Sequence, residues 1–364
     1  MRALVLTTDA FGGHGGLAKY NRDFITALCC HPAMSEVVAI PRVATYAIGA
    51  TPERLRFVTD GLGTKRGFLR SLARELARPA TFDVVFCGHI NLLAPALAAG
   101  IRFRVPIILW VYGVDVWTPS NWFVPHGCGR IEGFVSISRL TAERFHSWAP
   151  LAGKREWIIP NAIELDRFTP GPKPAYLLER YRLQGKTVIA TVGRLAASER
   201  LKGVDEVLNV LPDLSNSRQD LAYLVVGGGN DKERLETRAR ELGVGDRVVF
   251  TGHVPESEKI DHYRLADAYV MPSRGEGFGF VFLEALACGL PVVASSIDGG
   301  REAVRQGELG SLVDPRDGAD IIRGIKEALG KPKGVVPDGL RYFAFPNFVS
   351  RVHAFVDDVM PGCA

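Results

Sequence analysis

Glu276 and Glu284 stand eight positions apart on either side of the turn Gly277-Phe278-Gly279. Two carboxylates so placed can accept hydrogen bonds from hydroxyl groups. The glycines let the backbone approach a ligand closely. Before the turn, the apolar run Ala268–Met271 predicts a buried strand. After it, Val281 to Cys288 predicts a helix that stops at Gly289, with Pro291 placed where the helix cannot continue. Pro291 to Ala294 reads as the next buried strand. Glu276 therefore falls in a loop at the carboxyl end of a strand, and Glu284 inside the following helix. The start of that helix offers free N–H groups to an anion. A phosphate at the helix mouth, with a carboxylate on each side to hold hydroxyls, describes a site for a sugar nucleotide. The plainer reading of the same spacing is a strand–loop–helix unit with two solvated carboxylates.

A second set of charges points the same way. Gly193-Arg194-Leu195 closes a strand expected at Thr187–Val192, and Lys202-Gly203 opens the next helix. Two cations at a strand-to-helix junction can neutralise a diphosphate, with the helix dipole adding to them. Their plainer reading is two surface cations. The sequence contains no Asp-x-Asp pair. Enzymes that hold a diphosphate through a divalent ion usually need clustered carboxylates of that kind. Metal independence is therefore expected, with no cofactor beyond the substrate itself.

The rest of the chain must position these groups. Its 364 residues suggest two domains, and 47% hydrophobic with 23% charged residues is ordinary for packed cores. Alternating strand-like and helix-like segments predict parallel α/β sheets covered on both faces. In the N-terminal half, strands are expected at Arg2–Thr7, Val37–Ile40, Val84–Cys87, Ile107–Val111 and Phe134–Ile137, and a helix at Leu17–Cys30. Prolines and a glycine in residues 158–172 mark an interdomain connection. Beyond it the alternation restarts, with strands at Tyr223–Val226 and Val248–Thr251 and a charged helix from Asp231 to Leu242. The expected boundaries are residues 1–165 and 170–345. A final amphipathic helix, about 346–364, crosses back to the first domain.

No run is long and apolar enough for a membrane span, and no secretory signal pattern opens the chain. A cytoplasmic location is expected. Six cysteines, Cys29 and Cys30 adjacent and the rest scattered, without a Cys-x-x-Cys predict free thiols and no structural zinc. The net charge of +4 is too mild to predict a nucleic-acid partner, and no nucleic-acid motif is present.

Residues 273–302, with Gly-Phe-Gly between the two glutamates and Ala-x-Gly-x-Pro-Val-Val after them, resemble the Glu-x7-Glu signature of retaining GT-B glycosyltransferases, in particular glycosyltransferase family four. Gly-Arg-Leu-x5-Arg-Leu-Lys-Gly over residues 193–203 resembles that family's diphosphate-binding element. The resemblance implies two Rossmann-like domains facing across a cleft. It implies a sugar transferred with retention from a UDP- or GDP-sugar to a hydroxyl of a saccharide or lipid-linked saccharide. It gives Glu276 the donor sugar, Glu284 the ribose, and Arg194 and Lys202 the charge of the departing nucleotide.

By the same resemblance, Gly193, Gly277, Phe278 and Gly279 line the donor, and His253 and Val254 belong to the segment whose backbone reads the base. Gly15 and Gly16, in the loop after the first strand, present N–H groups to the diphosphate. The acceptor side falls to His89 and Asn91 and to Tyr112 and Asp115, which follow two N-terminal strands. Tyr112 stands where relatives often carry a His in His-Gly-x-Asp/Glu, so a role for that His does not transfer. The rivals are another sugar-nucleotide enzyme of this fold, such as an epimerase or a sucrose-type synthase. A more distant rival is a nicotinamide-dependent oxidoreductase using Gly13-x-Gly15-x-x-Ala18, a weak match without its acidic ribose partner.

One further segment carries charge. Residues 1–165 hold 18 Lys and Arg against 12 Asp and Glu. Within them Lys65–Arg78 predicts an amphipathic helix, with Arg66, Arg70, Arg74 and Arg78 in a stripe and Phe68, Leu69, Leu72 and Leu76 on another face. Its plain reading is a helix with its leucines on the core and its arginines in water. The alternative is peripheral contact with an anionic membrane at the inner face of the cell membrane.

Overall fold

The structure is a computed structural model that describes residues 1–360. The chain divides into two compact units, Met1–Ala162 with the chain from Phe345 onward, and Ile163–Ala344.

The first unit carries strands β1 (Arg2–Thr7), β2 (Glu36–Pro41), β3 (Leu55–Phe57), β4 (Val84–Gly88), β5 (Ile107–Val111), β6 (Gly133–Ser136) and β7 (Arg155–Ile158). All run parallel in the order β3-β2-β1-β4-β5-β6-β7. Helices α1 (Gly16–Cys30), α2 (Lys65–Leu76), α3 (Leu93–Phe103), α4 (Phe123–Cys128) and α5 (Arg139–His146) connect them. The central strands β4 and β5 are buried at every position, which is why they read as continuous apolar runs rather than alternations.

In the second unit, β8 (Thr187–Val192), β9 (Leu221–Val226), β10 (Val248–Phe250), β11 (Ala268–Met271), β12 (Val292–Ser295) and β13 (Ser311–Val313) form a parallel sheet in the order β10-β9-β8-β11-β12-β13. Its helices are α6 (Ala175–Tyr181), α7 (Val204–Ser217), α8 (Lys232–Glu241), α9 (Lys259–Leu265), α10 (Phe280–Ala287), α11 (Gly300–Ala303) and α12 (Gly318–Leu329). Two parallel α/β units of this kind are the GT-B class.

The last helix, α13 (Phe345–Val359), returns to the first unit and packs on α1. Phe348 and Phe355 each meet Phe24 edge-on, with ring centroids 6.1 and 5.7 Å apart. Of the helix expected over 346–364, residues 361–364 lie outside the described residues.

The strands that the sequence pattern did not announce include β3, β7 and β13. Each is three or four residues long, lies at a sheet edge and is only partly buried. Such strands lack the buried apolar run that marks a central one. Helix α2 is also shorter than expected. It ends at Leu76, because Pro79 restricts the residue before it and cannot donate a helix bond. Arg78 therefore lies beyond the helix. Leu69, placed with the apolar residues, is 52% exposed among the arginines; Phe68 and Leu72 alone of that set are fully buried.

Candidate functional site

Both sheets reverse their strand order once, and many of the residues singled out lie at those points, whereas Tyr112 and Asp115 follow β5 and His253 and Val254 follow the edge strand β10. In the second unit the reversal lies between β8 and β11. There the carboxyl ends of two neighbouring strands lead in opposite directions and leave a crevice, the usual ligand position in open parallel sheets. Gly193, Arg194 and Lys202 follow β8, and Glu276 to Gly279 follow β11.

Two close backbone approaches bring these segments together. Gly203 caps α7 at φ +82°, and a Cβ there would lie 2.7 Å from the carbonyl oxygen of Pro272. The amide of Arg274 donates to the Leu201 carbonyl at 2.7 Å. With the loops held in this way, Lys202 Nζ lies 3.2 Å from Glu276 Oε2. The lysine stem passes Gly193, where a Cβ would stand 3.4 Å from its Cδ. Lys202 and Glu276 keep 31% and 17% of their side chains exposed, so the pair remains open to a ligand. Arg194 is exposed.

The turn between the carboxylates behaves as its glycines require. Gly279 has φ +91° and precedes α10, so a side chain there would be strained. The N–H of Gly277 donates to Glu276 Oε1 at 3.2 Å. Phe278 does not turn its side chain outward. Its ring is 1% exposed and meets Phe343 edge-on at 5.5 Å, so it anchors the turn in the core. His253 is exposed and Val254 half-buried. They follow β10 beside Gly228, where a Cβ would lie 3.1 Å from the His253 amide nitrogen.

Glu284 is buried within α10 at 2% exposure. Lys259 Nζ donates to its Oε1 at 2.6 Å and the Tyr263 hydroxyl to its Oε2 at 2.7 Å. The sequence reading missed both partners, which come from α9 and carry no motif of their own. A helical spacing of four, Lys259 to Tyr263, was the available signal. Each carboxylate oxygen has a second lone pair, so Glu284 can still accept from a hydroxyl.

In the first unit the reversal lies between β1 and β4. Gly15 caps α1 at φ +94° with nothing within 4 Å of its missing Cβ, and Gly16 is the first residue of the helix; both are exposed. Asn91 is exposed, and its amide donates to Nδ1 of His89 at 3.1 Å. His89 stacks on Tyr112 at 6.4 Å. Burial, aided by Arg42, pulls the His89 pKa down to about 4. The Tyr112 hydroxyl lies 2.6 Å from Asn21 Oδ1 and 2.9 Å from the Gly88 carbonyl. It has one hydrogen to donate, so Tyr112 ties β5 to α1 and β4 rather than presenting a free donor to an acceptor sugar.

Asp115 behaves differently. Its Oδ1 accepts from the Tyr112 amide at 3.2 Å, while its buried Oδ2 has no hydrogen-bond partner. Burial raises its pKa to about 7. Asp9 carries no motif that marks it; its Oδ1 is likewise buried without a partner, and burial raises its pKa against the pull of Arg22.

A carboxyl whose pKa is raised by folding stabilises the fold relative to its charged form at low pH, and that contribution is lost as pH rises through the folded value. For Asp115 the window runs from its ordinary range up to about 7. Asp115→Asn keeps the acceptor for Tyr112 but cannot ionise. The substitution is expected to be near neutral at pH 4, to stabilise the protein increasingly up to about pH 7, and to level off between there and pH 8.5 at roughly 2–4 kcal/mol. Thermal melts of both proteins across that range test this, and a pH-independent difference contradicts it.

Comparison with known proteins adds to this geometry. Residues 179–335 match the family described as glycosyl transferases group 1. Over 355 residues the chain is 36% identical to the GDP-mannose-dependent alpha-(1-6)-phosphatidylinositol monomannoside mannosyltransferase of Mycobacterium tuberculosis, covering 90% of this chain and 89% of that protein. The protein of the same description from Mycolicibacterium smegmatis is also 36% identical, over 59% of this chain; the match spans 58% of its length. Among solved structures, HepE of Anabaena in complex with UDP-glucose superimposes with a TM-score of 0.73 at 19% identity, covering 98% of this chain and all (100%) of that one. At that identity the likeness is one of fold alone.

Proposed function

Since the chain belongs to the group 1 glycosyl transferases, we propose that it moves a sugar from a nucleotide diphosphate to an acceptor hydroxyl, with retention of anomeric configuration and without a metal ion. The observation that carries this reading is the Lys202–Glu276 pair at the strand-order reversal of the second sheet. It sets a cation and a carboxylate beside a glycine turn that opens a helix.

In this reading the anomeric carbon–oxygen bond breaks and its electron pair goes to the β-phosphate oxygen. Arg194, Lys202 and the amides before α10 stabilise the charge that develops there, an interaction strongest in the transition state. The acceptor oxygen bonds to the same face of the anomeric carbon, and its proton passes to the departing phosphate. Glu276 orients the sugar and Glu284 holds the ribose. Asp115 and His89 are the acceptor-side candidates: the first offers a buried, unpartnered oxygen, the second a ring that burial keeps neutral near pH 7. The metal-free reading rests on the cations that take the ion's place.

The donor we propose is GDP-mannose, because the two mannosyltransferases described above are named for it. A UDP-sugar is the other donor to test. A donor that binds the folded state raises the melting temperature by mass action. GDP and GDP-mannose are therefore expected to shift the melt more than UDP, UDP-glucose or NADH at equal concentration. A larger shift with the uridine compounds overturns the donor assignment, and one with NADH alone overturns the reading itself.

An acceptor carried on lipid would place the first unit at a membrane surface. The exposed face of α2 offers Arg66, Arg70 and Arg74 around the half-exposed Leu69. Among the described residues no helix is long and apolar enough to cross a membrane. Each arginine near an anionic surface adds ~1 kcal/mol. Co-sedimentation with anionic vesicles at low salt is expected for the wild type and lost in the triple Ser variant of these arginines. Equal pelleting of the two proteins rules the stripe out as a membrane contact.

A further inference from the structure

We propose that Asp298 is a positioning residue for Glu276, and that it acts by fixing the backbone from which the Glu276 carboxylate projects. The inference rests on the glycosyl-transfer reading of Glu276. Asp298 lies in the loop between β12 and α11, is fully buried, and is hydrogen-bonded to the Glu276 loop. Its Oδ2 accepts from the Glu276 amide at 2.9 Å, and its Oδ1 accepts from the Gly300 amide at 3.0 Å. The Glu276 carbonyl is held from the same loop, by the Gly299 amide at 2.8 Å. Both main-chain polar groups of Glu276 are thus tied to residues 298–299.

The two loops approach too closely for anything but glycine at the contact. A Cβ on Gly299 would lie 2.1 Å from the Gly277 carbonyl oxygen and 2.8 Å from that of Glu276. With backbone position and direction set in this way, the Glu276 side chain reaches Lys202. A misplacement of order 1 Å at such a group costs about 10²-fold in rate even when nothing touching the substrate has changed. Asp298 also has a chemistry suited to the task. Only an ionised carboxylate offers acceptors on both oxygens; an amide offers one acceptor and one donor. Asn at this position can satisfy either Glu276 or Gly300, and its NH2 group then faces the other N–H. Burial raises the Asp298 pKa to about 6, and the facing Glu276 carboxylate adds to that rise. The two-acceptor form therefore predominates at neutral pH.

The test is a double-substitution cycle on kcat, combined with hydrogen exchange. Asp298→Asn is nearly isosteric and is checked for folding by its thermal melt. In the wild-type background it is expected to lower kcat about tenfold, with the Kd for nucleotide changed less than threefold. In a Glu276→Gln background, whose own kcat is measured alongside, it is expected to lower kcat less than twofold further. A residue that acts through Glu276 has nothing left to position once the carboxylate is gone. Exchange of the Glu276 amide is expected to speed up by more than tenfold in Asp298→Asn, while amides in β11 keep their protection.

A full tenfold loss in both backgrounds, or unchanged amide exchange, overturns the proposal. Failure of the functional reading looks different: Glu276→Gln then leaves kcat for sugar transfer unaltered, or no transfer is seen at all. The exchange measurement still decides whether Asp298 holds the Glu276 backbone in that event.

Discussion

Glu276→Gln is expected to lower turnover by ~10²-fold or more while leaving the melting temperature within a few degrees of wild type. The reasoning begins from exposure and partners. Glu276 is only partly buried, and Lys202, with which it pairs, is itself 31% exposed. An exposed pair of this kind contributes little to folding, about 0–1 kcal/mol. Glutamine keeps the size of the side chain and one acceptor oxygen. What it removes, in the proposed reading, is the charge that would orient the sugar hydroxyls and hold Lys202 beside the diphosphate. Losses of one electrostatic contact in a transition state run to about 10²–10³ in kcat. Lys202→Ala is expected to fall in the same range, because it removes the other half of the pair. Steady-state kinetics with the preferred donor and a saturating acceptor measure both. Near-wild-type kcat for either variant, on a folded protein, contradicts the assignment.

Glu284→Ala is expected to behave otherwise, with a double effect. The sequence reading assigned this residue to the ribose alone, which predicts a loss of nucleotide affinity of roughly 1–3 kcal/mol for one charged hydrogen bond. The structure adds a second consequence. Glu284 is buried and holds both Lys259 and Tyr263. Removing it takes the carboxylate partner from a lysine and from a buried hydroxyl. Breaking a buried pair by deleting one partner costs about 3–5 kcal/mol. Lys259 is 22% exposed and recovers part of that through water, so a loss of about 2–4 kcal/mol in folding free energy is expected. Urea denaturation without ligand isolates the stability term, and calorimetric titration with the nucleotide gives the affinity term. Glu284→Gln separates the two further, since it retains an acceptor for Tyr263 while giving up the charge facing Lys259. An unchanged denaturation midpoint in Glu284→Ala contradicts the structural half of this account.

The residues around Glu276 were legible in the sequence because each leaves a mark there. Strand β11 is a short apolar run, the turn is written in glycines, and Gly289 with Pro291 punctuates the end of α10. The central strands of both sheets were visible for the same reason: they are buried on both faces. The edge strands β3 and β7 were not, since half-buried backbone at a sheet margin tolerates polar side chains and shows no period. The helix α13 was legible from its apolar spacing, and its start at Phe345 lies within one residue of the expected one.

The supporting contacts were the least visible part of the site. Asp298 is 22 residues from Glu276 in sequence, and Lys259 is 25 from Glu284. Partners at such distances are set by which loops the topology brings to the same end of the sheet, and no local pattern encodes them. Phe278 shows a related limit. Its position between two glycines suggests contact with a ligand, yet the turn points its ring into the core. The tyrosine at position 112 departs from the family's usual histidine. Its hydroxyl joins three elements of the first unit, through Asn21 and Gly88, which a sequence comparison of that one position does not disclose.

The central claim is transfer from a nucleotide sugar by the Lys202–Glu276 site, with retention and without a metal. It is tested most directly by following one reaction with GDP-mannose and a mannoside or lipid-linked acceptor by proton NMR, in the presence of excess chelator. The account predicts release of GDP that depends on acceptor, together with a product whose new anomeric signal has the same configuration as the donor. It further predicts that both signals disappear together in Lys202→Ala. Release of nucleotide without acceptor, an inverted anomeric signal, or activity that returns only when Mg²⁺ or Mn²⁺ is restored would each contradict it.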